Sequence, residues 1–166
     1  MDAEVEGWMK KVKEREKAGA DLSRDEDLAI AIMNLVSLEE HFYFTAMKTG
    51  DGKYLEFLQN VREMRKGMLE KIVTEPAGEE WCISKHLLAA SMRLYEVGCK
   101  ELSKKGEKDA EKYFKAGFDL WSLFFAINLK LVAPKQLEKE VVKAEEGKMG
   151  RLSKMMKSII DCCKEW

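Results

Sequence analysis

Apolar residues recur along this chain every three or four positions, in segments punctuated by glycine and proline, and they never alternate with polar ones over the length of a strand. That period belongs to helices, and it predicts an all-α fold. A first helix over about 3–18 gathers Val5, Trp8, Met9 and Val12 on one face and stops near Gly19. A second, over about 23–48, opens at Ser23 or Asp25, and Ser23 forms a capping box with Glu26 three residues later. A third spans about 53–74 and ends before Pro76, because proline disfavours helical geometry in the residue ahead of it. A fourth runs over about 79–104 to the break at Lys105-Gly106, and a fifth over 107–132 to Pro134. Two more follow, over about 135–146 and 151–165. The last sets Leu152, Met155, Met156, Ile159, Ile160 and Cys163 on one apolar face.

The short turns at 49–52 and 105–107 make their flanking helices antiparallel neighbours. The pattern therefore predicts an up-and-down four-helix bundle over about 23–132, with accessory helices at both ends of a single domain. The second helix is apolar around most of its circumference, from Leu28 to Phe44, which predicts that it is the central element. The fifth is the most aromatic and has more apolar sides than one bundle core covers. Its surplus must be hidden by the last helix, the first helix or a second subunit, and a homodimer through the fifth or a terminal helix is one expected outcome.

Composition narrows the function classes. A chain of 166 residues with 36% charged residues and a net charge of -1 carries no overall positive field, so nucleic acid is not an expected partner. No apolar run reaches the length of a signal peptide core or a membrane span, and four cysteines in no CxxC spacing fit a reducing compartment; a cytoplasmic protein is the expectation. Lys148, Arg151, Lys154, Lys157 and Lys164 beside the apolar face of the last helix suit docking on the bundle, on a partner or on a membrane surface.

Chemistry is sought where polar residues interrupt apolar stripes, since a buried charge needs a partner. On the second helix the seam Leu28, Ile32, Leu35, Glu39, Phe42, Ala46 places Glu39 inside; on the third, Tyr54, Leu58, Val61, Arg65, Met68, Ile72 places Arg65 inside. Reflection through the turn predicts that Glu39 pairs with Arg62 or Arg65. The fourth helix sets Glu79, Cys82, His86, Arg93 and Glu96 along one face. Cys82 and His86, four residues apart, present a thiolate and an imidazole suited to zinc or iron, with Glu79 adding an oxygen and Glu39, Glu40 or His41 completing the set if the helices meet at that height. Alternatively Cys82 is a small core residue, and Arg93 simply pairs with Glu96. A third reading has Arg62, Arg65, Lys85 and Arg93 lining a pocket for a carboxylate or phosphate, with Glu39 and Glu96 beside them. No cofactor is required by any of these stretches. GxSxG, phosphate-loop, HExxH and calcium-loop patterns are missing, so no catalytic constellation is expected.

Residues 91–122 resemble one tetratricopeptide unit. Leu94, Val97 and Gly98, then Ala110, Phe114 and Gly117, stand in the register of that family's large, glycine, alanine, aromatic and small positions, with the turn at Gly106-Glu107; Glu101 and Ser122 depart from its pattern. The resemblance implies close helix packing at Gly98 and Gly117 and a protein-binding role. The leading expectation is a non-catalytic interaction or assembly module, with a metal- or anion-binding bundle as the alternative.

Overall fold

The computed structural model describes residues 3–132 and 147–159, and no strand occurs among them. Six helices are described: α1 (Ala3–Lys17), α2 (Leu22–Thr49), α3 (Lys53–Leu69), α4 (Glu80–Lys105), α5 (Glu107–Asn128) and α6 (Lys148–Ile159). The helix expected over 135–146, and the end of the one expected over 151–165, lie outside the described residues.

The architecture is an all-α bundle built from two hairpins, α2–α3 and α4–α5, with α2 packed on α4. Of the terminal helices, α6 lies on α5 and α1 touches α6. Trp8 and Val12 of α1 join Leu152, Met155 and Met156 of α6 in one core cluster with the aromatic half of α5.

Local chemistry explains where the helices start and stop. α2 begins one residue before the expected Ser23: the Asp21 carboxylate accepts the Arg24 N–H at 3.0 Å, which brings buried Leu22 into the first turn. α3 ends at Leu69 rather than near 74. The backbone then tightens into turns, with Ile72 and Val73 both bonding back to the Leu69 carbonyl, and these two adjacent apolar side chains are both buried. A helix continued through them would point them about 100° apart.

α5 ends at Asn128 rather than 132, in a Schellman turn. Leu131 N–H reaches the Ala126 carbonyl at 2.8 Å and Lys130 N–H reaches Ile127 at 2.9 Å. Lys130 holds the left-handed position at φ 57°, where glycine is usual, so the sequence carries no stop signal there. Between α4 and α5 the link is Gly106 alone, at φ 90° and ψ -176°, a region essentially reserved for glycine.

The centre of the core is α5, not α2. All residues from Trp121 to Ile127 are buried, around a ring cluster in which Trp121 and Phe125 lie 4.6 Å apart and Phe124 and Phe125 5.0 Å. A helix buried on every side needs neighbours on every side, and α4 and α6 provide two of them. The apolar surplus of α5 is thus covered within the chain, and the α6 face carrying Leu152, Met155 and Met156 docks on the bundle.

Close approach of α4 and α5 is set by two glycines. A methyl group on Gly98 would fall 2.6 Å from the Phe114 ring, and one on Gly117 3.2 Å from the Ser91 carbonyl. Ser91 Oγ uses that proximity to donate to the Gly117 carbonyl at 2.8 Å.

Candidate functional site

The polar residues that the sequence places on apolar seams fall into separate clusters. Glu39 and Arg65 meet across the α2–α3 hairpin: Arg65 Nε donates to Glu39 Oε1 at 2.5 Å, and the Arg65 side chain is 3% exposed. Arg62 adds a looser contact at 3.9 Å. Both arginines therefore answer one carboxylate, and the pair is structural in position, sealed between two helices.

Arg93 does not pair with Glu96 on its own helix. It reaches across to Glu40 of α2, forming an ion pair at the surface where both side chains are about half exposed. Glu40 thereby sits beside the middle of α4, whereas Glu79, Cys82 and His86 stand at or near its N-terminal end and are exposed to solvent. His86 lies seven residues, about two turns, before Arg93. His41 is exposed on α2, edge-on to Phe42. Lys85 and Glu96 are half-buried. Among the described residues, no group of three or more His, Cys, Asp or Glu comes together around a point that could hold an ion.

A second ion pair, with a buried carboxylate and a part-exposed ammonium, escapes the periodicity. Glu80, at the start of α4, is buried and accepts from Lys130 Nζ at 2.5 Å and from the Ala77 N–H at 2.9 Å. Burial pushes the Glu80 carboxyl up, but the ammonium and the amide together outweigh it and hold the group below its ordinary value of 4.5. Next to it Asn128 donates to Ser84 Oγ at 3.1 Å and to the Phe124 carbonyl at 2.8 Å. These contacts tie the end of α5 to the start of α4. The visible signal was the acid at a helix start, favoured by the helix dipole; its partner is 50 residues away, and nothing local announces it.

The terminal helices are pinned similarly. Arg151 donates to Glu4 at 2.8 Å, and Ser153 Oγ donates to Asp119. A recess of about 1070 Å³ between α1 and α6 is lined by Met9 and Met155 together with Glu6, Lys10, Glu14 and Arg151, charges of both signs.

The outer face of α2 is the surface with the most unusual chemistry. Over residues 28–47 only Glu39 and Glu40 are charged, where the chain-wide 36% would give about seven. Glu39 turns onto α3, and Glu40 pairs with Arg93 of α4 at one edge of that face, in a recess that Tyr43, Phe44 and Glu96 also line. The face is also apolar: Ile30, Leu38, Tyr43, Phe44 and Met47 are exposed, Phe44 by 59% and Met47 by 58%. Periodicity predicts that Ile30, Leu38 and Phe44 are covered by neighbours, because an exposed apolar helix face and a buried one have the same pattern.

No helix among the described residues is long and apolar enough to cross a membrane. No family model, curated protein or solved structure matches this chain.

Proposed function

We propose that this protein is a non-catalytic helical interaction module whose contact surface is the outward face of α2. The observation that carries the reading is the exposed apolar residues from Ile30 to Met47, a stretch whose only two charged residues, Glu39 and Glu40, are both engaged with other helices. Interface centres are depleted in charge and enriched in aromatic residues and methionine, the composition that this stretch of α2 exposes. A metal or anion site draws no comparable support. Its three arginines, Arg62, Arg65 and Arg93, are matched to Glu39 and Glu40, and Cys82 and His86 face solvent.

A photo-crosslinking residue placed at Phe44 or Leu38 in living cells should give discrete protein adducts, while the same residue at exposed Lys100 on α4 should not. Equal, diffuse labelling at all three positions would remove α2 as the contact surface.

A further inference from the structure

Resting on that reading, we infer that the partner of α2 is a second copy of the chain, laid antiparallel along the same face with the two-fold axis passing between Ser37 and Leu38.

The argument begins with spacing. Asp27, Asn34, His41 and Lys48 follow one another at intervals of seven, with Ile30 and Ala31, Ser37 and Leu38, and Phe44 and Thr45 between them. Intervals of three and four keep all of these on one side of a helix. Of the eight residues from Ile30 to Thr45 so arranged, only Ser37 and Thr45 are half-buried and the others are exposed.

Charge chooses the occupant. Along this stripe Asp27 is the acid at the N-terminal end and Lys48 the base at the C-terminal end, neither in an ion pair with another described residue, while the Glu40–Arg93 pair, its charges already matched, flanks Phe44 along one edge. A copy running the same way would set Asp27 against Asp27 and Lys48 against Lys48. An antiparallel copy sets each Asp27 against the other chain's Lys48, about six turns of helix apart. Positions 27 and 48 are equidistant from 37.5, and so are 34 and 41, so Asn34 faces His41 of the other copy in the same register. At the axis itself stands Ser37, small enough for close approach.

Shape agrees with charge. In this register Phe44 lies opposite Ala31 and beside Ile30 of the other copy. There a notch of about 390 Å³ opens between α2, α4 and α5, walled by Ile30, Met33, Tyr95, Phe118 and Trp121. Phe44 and the notch lie on the same side of α2, the side of Met33 and Glu40. A two-fold axis perpendicular to the paired helices preserves that side, so each copy offers one ring and one recess.

Light scattering at tens of micromolar should give about 38 kDa, twice the 19.1 kDa chain. Phe44→Glu should return it to the monomer with its helical circular dichroism unchanged. Asp27→Lys should weaken the dimer at least tenfold, and adding Lys48→Asp should restore it. In a chain whose four native cysteines are replaced by serine and which still gives the dimer mass, Ser37→Cys should form a disulfide with its own copy under mild oxidation. Asp27→Cys and Lys48→Cys should cross-link to each other when mixed, and neither to itself. Self-linking of Asp27→Cys would overturn the antiparallel arrangement. A monomeric mass, with the Phe44 crosslinker capturing a different protein in cells, would overturn the second copy while leaving α2 as the contact surface. A monomer with no adduct at all would end both readings.

Discussion

At the scale of single residues, the molecule separates two ion pairs that look alike in the sequence. Glu39 and Arg65 are enclosed between α2 and α3, so Glu39→Ala leaves a guanidinium buried without its counter-charge and should cost about 3–5 kcal/mol. The Glu40–Arg93 pair is half exposed on both sides, and Arg93→Ala should cost less than about 1 kcal/mol. Urea denaturation of the two variants tests the contrast, and equal losses would contradict it. Glu80 adds a dependence on pH. Its folded pKa is lowered, so its contribution to stability is complete above the ordinary carboxylate value of 4.5 and is lost as pH falls through the lower folded value. In Lys130→Met the main opposition to burial is gone and the carboxyl shifts upward, which predicts a deficit of roughly 1.5–3 kcal/mol near neutrality that narrows as the pH falls through the variant's raised carboxyl pKa towards the lower value of the parent. A deficit independent of pH would show that Lys130 acts through packing instead. Glu39 and Arg65 were legible because both interrupt seams of one hairpin. Lys130 was not, because a lysine in a left-handed turn carries no local signature.

Helices are the scale at which the periodicity is most informative. The hairpins, their short turns and their antiparallel pairing follow from apolar spacing and from Gly50, Gly52 and Gly106. Packing inside a hairpin is finer than periodicity resolves. Gly98 faces Phe114 so closely that Gly98→Ala must displace the ring, and overpacking of about 1–3 kcal/mol exceeds the ~1 kcal/mol that alanine returns in helix propensity. Net destabilisation of about 1 kcal/mol is expected by thermal or urea unfolding. Combining it with Phe114→Leu should cost less than the sum of the two, because the smaller side chain vacates the space; strict additivity would mean that the methyl never meets the ring.

For the whole molecule, the distribution of burial decides what the surface is for. α5 contributes more buried residues than any other described helix, and α6 helps to cover it with Leu152, Met155 and Met156. In α3, by contrast, Arg65 and Leu69 are the buried residues, and its own Leu55, Phe57 and Met64 are exposed, so the α2–α3 hairpin presents apolar surface on more than one side. It joins the core cluster through Ala29, Ile32 and Leu69, and the Glu39–Arg65 pair links its two helices. A surface of this kind on a chain otherwise dense in charge is the whole-molecule reason for looking to α2 for contact with another protein.

Apolar spacing along the chain was enough to set the helical class, the number and order of the helices within the described residues, and the inward turn of Glu39 and Arg65. Each of these depends on spacing along one chain segment, and spacing is a local quantity. Tertiary structure alone decided which apolar face is covered. The stripes of α2 and α5 are similar as patterns, yet α5 is enclosed while Ile30, Phe44 and Met47 stay in water, because the cover of a helix depends on neighbours that its own sequence does not specify. The same holds for Arg93, which the spacing offered to Glu96 and the packing gave to Glu40, and for Glu80 and Lys130, brought together only when the end of α5 returns to the start of α4.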